Sequence, residues 1–271
     1  MQGDINMKIA ALQLATLPLS NQKLGEYFKS VHGQGIDIVV LGEYVLNSFF
    51  KELESIPLML IREQSKHKIE SLQAYAKMYK LTIIAPIITV EENKLYKKIG
   101  KFSPDETVYR KQEFLINYNH WDEESFFANE ATGEIEPIIF ESHGLTFGVI
   151  SGFEVHFDAF WCKMMEEGVD VVLLPTVSTF GSNFRWNEIL KSRAFLNNMY
   201  ILRVNRIGTY HDEDSLWKFY GETYLVNPDG HIESSLSTKE DMLIAKIDKR
   251  ELKEAKANWG FRKQLEKRDL L

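Results

Sequence analysis

The sequence predicts an α/β fold built on mixed sheets, on three observations. Short apolar, β-branched runs alternate with segments of helical period along the whole chain. Turn signals at Glu92-Asn93 and at Asn227-Pro228-Asp229-Gly230 add antiparallel pairing to what would otherwise be parallel crossovers. Pro and Gly are scattered, so nothing separates one part of the chain from another. A mixed sheet, or two sheets packed face to face with helices outside, fits this pattern better than a purely doubly wound sheet.

Taken in order, Lys8 to Leu14 reads as a strand, Asn21 to about His32 as a helix, and Asp37 to Leu41 as a buried strand. Arg62 to Tyr79 has helical period, with Ile69, Leu72, Tyr75, Ala76 and Tyr79 on one face. Leu81 to Pro86 and Leu145 to Ile150 are strands, and Phe157 to Glu167 is a helix capped by Gly168. Val169 to Pro175 is a further buried strand, Trp186 to Asn198 a helix, and Tyr200 to Asn205 a strand. Tyr220 to Asn227 alternates as one strand before its turn. Met242 to Ile247 is a strand and Lys249 to Asn258 a helix.

A chain of 271 residues with 44% hydrophobic and 26% charged residues can bury a sizeable core, and a single domain over 1–271 is the simplest division. The net charge of −7 argues against a nucleic-acid partner, which needs a basic face. The single cysteine, Cys162, excludes an intramolecular disulfide and points to a reducing, cytoplasmic compartment. It reads as a small buried hydrophobe in mid-helix. No apolar run reaches the roughly 18 residues of a membrane span. The opening MQGDINMKIAAL lacks the basic and apolar regions of a leader, and Met7 is an alternative start. The seven histidines show no metal-ligand spacing, no phosphate loop appears, and no cofactor is expected.

Four places put polar groups at the ends of apolar strands, where α/β folds build their sites. They are Glu43 after Val40-Leu41-Gly42, Lys111 in Tyr109-Arg110-Lys111, Glu123 in the aromatic-rich stretch His120 to Phe127, and the turn inside GVISGFEVHF at 148–157. Each has an ordinary alternative. Glu43 reads as a solvated turn residue, Lys111 as a surface charge, Asp122-Glu123-Glu124 as the acidic first turn of a helix, and Gly152 as a close-packed glycine.

In this order the four places resemble the carbon–nitrogen hydrolase family, the nitrilase-like amidases, from Met7 to about Asn258. MKIAALQL is similar to the family's opening strand. GVDVVLLPT, KSRAFLNNMYILRVNRIG and YGETYLVNPDG resemble its later blocks in sequence. GVISGFEVHF resembles its nucleophile turn, G-V-x-I-C-Y-D/E-x-R-F-P-E. Aligning Gly148, Glu154 and Phe157 sets Gly152 at the cysteine without a gap, whereas Ser151 would require an extra residue. Further departures are Gly42 for a proline, Leu196 for a glutamate and Asp158-Ala159 for Pro-Glu.

The resemblance implies a four-layer α-β-β-α sandwich of two mixed sheets. It implies Glu43 as general base, Lys111 as oxyanion stabiliser, Glu123 as the second glutamate, and Gly152 standing where the thiolate would attack. Phe153, Glu154 and His156 follow as oxyanion or substrate-binding candidates, although His156 reads more readily as a surface histidine at the start of a helix. The implied partner is a small amide, nitrile or carbamoyl compound, and the implied assembly a homodimer or larger homo-oligomer through helices 157–167 and 186–198. Without the sulfur the expectation is a fold that binds such a compound without cysteine-dependent hydrolysis. A water activated by Glu43 and a purely structural or regulatory subunit are the alternatives.

Overall fold

The computed structural model describes residues 7–212 and 215–271. The reading of the first six residues lies outside them. In chain order the strands are β1 (Met7–Gln13), β2 (Ile38–Leu41), β3 (Thr82–Glu91), β4 (Lys94–Phe102), β5 (Thr107–Lys111), β6 (Asn117–Tyr118), β7 (Trp121–Asp122) and β8 (Ile138–Ser142). They continue as β9 (Leu145–Val149), β10 (Val171–Thr176), β11 (Tyr200–Asn205), β12 (Ile207–His211), β13 (Leu216–Tyr220), β14 (Tyr224–Val226), β15 (Ile232–Ser235) and β16 (Asp241–Ile247). The helices are α1 (Gln22–Gly33), α2 (Phe50–Leu53), α3 (Leu58–Tyr79), α4 (Glu123–Phe126), α5 (Asp158–Glu166), α6 (Asn183–Asn197), α7 (Lys249–Trp259) and α8 (Phe261–Glu266).

Two six-stranded mixed sheets form, in the orders β16-β1-β2-β3-β4-β5 and β15-β14-β11-β10-β9-β8. Their central strands run parallel and their outer strands antiparallel. Strand parity explains the layering. Ile9 and Ala11 of β1 meet Val171 and Leu173 of β10 in a core between the sheets. Ala10 and Leu12 point the other way, onto Leu24 and Phe28 of α1 and Leu72 and Ala76 of α3. Val172 and Leu174 likewise pack on Phe160 and Met164 of α5 and Leu190 of α6. Both faces of each central strand are therefore buried, which is why these strands read as unbroken apolar runs. The result is the four-layer α-β-β-α sandwich.

Two expectations are corrected. Residues 220–227 are not one strand. Gly221 and Glu222 take φ of +76° and +62°, and the chain turns there. Gly221 lies so close to Gln13 that a Cβ would fall 2.6 Å from its Nε2. Tyr220 thus ends a hairpin with β12, while Tyr224 joins the second sheet. Cys162 is exposed on α5 rather than buried.

The fold also brings two carboxylates together where α7 meets β15. Glu233 is exposed as a residue, but its carboxyl group faces that of Glu251, and Asn227 Nδ2 donates to Glu251 Oε1 at 2.7 Å. Desolvation and the Glu251 charge push the Glu233 carboxyl up to about 7. The folded chain then holds a proton that the unfolded chain releases near 4.5, so stability is lost as pH rises from about 4.5 through about 7. Glu233→Gln is expected to flatten this part of the urea-unfolding profile, gaining on the wild type as pH rises. Parallel profiles would contradict the pairing.

Candidate functional site

The C-terminal ends of β2 and β10, central strands of the two facing sheets, meet at or just beyond their last residues. Glu43 N–H donates to Thr176 O at 3.2 Å, and Gly42 packs on the end of β11, where a Cβ would lie 3.2 Å from three backbone atoms of residues 204–206. That approach accounts for glycine at position 42. Tyr44 follows with φ +55°, a conformation costly for a tyrosine. It is held there because its carbonyl accepts from Thr16 Oγ1 at 2.9 Å and Arg206 Nη1 at 3.2 Å. Glu43 is thereby aimed into the space between the sheets.

Three ionisable groups converge there, all buried. Lys97 Nζ lies 3.0 Å from Glu43 Oε1 and 2.8 and 2.9 Å from the two oxygens of Glu123. Gln112 Nε2 donates to Glu43 Oε1 at 2.9 Å, and the Tyr44 hydroxyl donates to Glu123 Oε1. Asn129 fixes the backbone behind this cluster, accepting from Lys97 N at 2.9 Å and donating to Lys97 O and Gln112 O at 2.8 and 2.9 Å.

The structure brings Glu43, Glu123 and Gly152 together and leaves Lys111 out. Lys111 pairs with Lys98 across the β4–β5 ladder and is exposed, its ammonium 3.8 Å from the Tyr96 ring centre. The side chains of Gln112 and Lys97 occupy the position by Glu43 instead. Parity is the reason: residues opposite Lys98 face away from the cavity, and the next residue along faces it. Lys97 escaped the sequence reading although a signal was present. It shares a strand face with Leu95 and Ile99, both buried, and a lysine on a buried face needs a partner.

At the turn after β9, Gly152 opens a 3-10 segment, Gly152–His156. A Cβ placed on Gly152 would fall 2.6 Å from Glu43 Oε2 and 3.4 Å from Thr176 Cα. The Glu43 carboxylate therefore extends into the space where a side chain at 152 would begin. Ser151 is fully buried, its Oγ has no hydrogen-bond partner among the described residues, and it is not part of the cavity wall. Glu154 does not face the cavity either. It is buried in a fork with Arg110 at 2.8 and 2.5 Å and accepts from Glu113 N and Ser151 N at 2.8 and 3.1 Å, which locks the turn. Phe153 and His156 do line the cavity, and His156 Nδ1 is 2.8 Å from Phe153 O.

The cavity in front of this cluster has a volume of about 690 Å³. Its walls are aromatic, chiefly Tyr118, Trp121, Phe153, Phe180, Trp186 and Trp217, with Ser178, Arg185 and His120 among the polar groups. Burial pushes the Glu43 carboxyl up, Lys97 and Gln112 pull it back, Glu123 adds to the rise, and the balance lies above the ordinary carboxylate range. Burial alone would lower Lys97, but Glu123 and Glu43 outweigh it and hold the ammonium above its usual value. The Tyr44 hydroxyl is raised well above its usual value, by burial first and Glu123 next. The arrangement offers an ammonium donor and a carboxyl of adjustable protonation to a polar group entering from the cavity. Among the described residues no three His, Cys, Asp or Glu side chains are placed to hold a metal ion. Nor is any helix among them long and apolar enough to cross a membrane.

Comparison with known proteins gives a consistent picture. The family model described as carbon-nitrogen hydrolase matches residues 8–257. The chain is 22% identical to an N-carbamoylputrescine amidase of Oryza sativa subsp. japonica, over 94% of this chain and 90% of that protein. It is 24% identical to an omega-amidase of Danio rerio, over 95% and 94%. A crystal structure of a carbon-nitrogen hydrolase from Helicobacter pylori G27 superposes with a TM-score of 0.79 at 19% identity, over 95% of this chain and 94% of that one.

Proposed function

This chain belongs to the carbon-nitrogen hydrolase family, and from that premise we propose that it binds a small amide, acid or carbamoyl compound without cysteine-dependent hydrolysis. One observation carries the reading: Glu43 Oε2 reaches into the space beside Gly152, 2.6 Å from where a Cβ would stand. A family member that attacks through a thiolate needs that space for the sulfur, with the base beside it rather than in it. Here the turn carries no nucleophile at 152, and the unpartnered Ser151 hydroxyl is outside the cavity wall.

What remains suits binding. Lys97 and the Glu43 carboxyl can meet the oxygen and nitrogen of an amide or carbamoyl group at the cavity floor, and the aromatic walls take its apolar body. In this role Lys97 takes the place expected of Lys111, Glu123 positions Lys97, and Phe153 and His156 shape the wall. The relatives named for amidase activity supply the ligand class. Exposed Phe184 and Leu196 on α6, at 71% and 51%, support a homodimer or larger assembly through that helix.

The test is a panel of small amides and carbamoyl compounds, followed by thermal shift and by NMR of the ligand. At least one compound is expected to raise the melting temperature and to remain intact. A compound that is consumed would overturn the reading, as would a panel that produces no shift.

A further inference from the structure

Resting on that amide-binding reading, we infer that the ligand carries an anionic group, a carboxylate, held at the α6 end of the cavity by Arg185. Arg185 lines the cavity, and among the described residues its guanidinium has neither an ion pair nor a hydrogen bond. Glu43 is the single carboxylate among the cavity-lining described residues, and it is already held by Lys97 and Gln112. No counter-charge for Arg185 stands in the wall.

A second cation deepens the imbalance. Arg203 is fully buried directly behind the same wall, with no carboxylate partner among the described residues. Its Nη2 donates to Ser178 Oγ at 2.8 Å and its guanidinium lies 4.8 Å from the Trp186 ring centre; both Ser178 and Trp186 line the cavity. Its Nε has no hydrogen-bond partner among the described residues. A buried cation without a counter-ion is costly unless a negative charge comes close. Because Ser178 Oγ accepts from Arg203, its own hydrogen remains available to donate into the cavity. Arg185 and Ser178 thus form the donor set for a carboxylate, with Arg203 polarising Ser178 from behind. Trp217 and Phe180, in contact with each other in the same wall, offer apolar surface to a linker.

The chemical class that fits is a monoamide or carbamoyl derivative whose other end is a carboxylic acid. The experiment is calorimetric titration of three probe sets of graded chain length: monoamides of straight-chain dicarboxylic acids, the matching diamides, and simple monocarboxylates. The wild-type chain is expected to prefer monoamide over matching diamide by about tenfold, the scale of one charge-assisted contact. Arg185→Gln is expected to bring the two affinities together, and Arg185→Lys to keep part of the preference. Equal affinities in the wild type, or a preference that survives Arg185→Gln, would overturn the inference while leaving amide binding in place. Binding of monocarboxylates that depends on Arg185, with no amide bound, would keep the anion end and remove the amide end. No binding by any probe would remove both.

Discussion

Lys97→Met is expected to cost the fold about 3–5 kcal/mol, the range for removing one partner of a buried ion pair. Lys97 contacts both Glu43 and Glu123, and both carboxylates are buried. Methionine fills a similar volume, so the loss is electrostatic rather than a cavity. Gln112 still donates to Glu43 and Tyr44 to Glu123, but two acids then face each other without a cation. The Glu43 carboxyl, already raised by burial, loses the Lys97 charge that pulls it back, and the variant must take up a proton there to stay folded. The sign follows: the deficit grows as pH rises and shrinks in mildly acidic buffer. Adding Glu123→Gln is expected to recover part of the loss, and a double-mutant cycle by urea unfolding reads the coupling directly. A Lys97→Met variant as stable as the wild type would mean that the three charges do not meet as described.

Gly152→Cys, the replacement that restores the expected nucleophile, is expected to destabilise the fold without restoring hydrolysis. The new Cβ would stand 2.6 Å from Glu43 Oε2, well inside van der Waals contact. Glu43 is the flexible end of the clash, but its other oxygen is held by Lys97 at 3.0 Å and Gln112 at 2.9 Å. Seating the cysteine therefore loosens these bonds, at roughly 1–3 kcal/mol, as for other overpacked sites. The thiol would lie beside a carboxylate in a buried turn, and both features disfavour the thiolate. In a well-studied nucleophilic triad the loss of the nucleophile alone lowers turnover by about 10⁶. Regaining turnover requires the base and the oxyanion donor in place as well as the sulfur. Thermal unfolding and ammonia release from the variant check both halves; a stable variant that releases ammonia would mean that only the sulfur is missing.

The layered fold was legible because its central strands are buried on both faces and so write unbroken apolar runs, as at Val171 to Leu174. Glu43 and Glu123 were legible through the order of blocks around them. Position 111 was not, because strand parity decides which of two adjacent residues faces the cavity, and Tyr-Arg-Lys-Gln alone does not state that parity. Lys97 sits among Lys94, Lys98 and Lys101, where a run of lysines reads as a solvated strand. Only the burial of Leu95 and Ile99 singles it out. Glu154 looked like part of the turn's chemistry because the clamp from Arg110 comes from a strand 44 residues away in sequence. The break at Gly221 depends on a close approach to Gln13, 208 positions earlier, which no local pattern records.

Glu43, reaching into the space beside Gly152, is proposed to stand in the place of a nucleophile rather than beside one. The most direct measurement is ammonia release from small amides, nitriles and carbamoyl compounds, with the native chain and Glu43→Gln side by side. No release is expected from either protein. Release by the native chain that disappears in Glu43→Gln would contradict it, because Glu43 would then be driving hydrolysis without a cysteine at the turn.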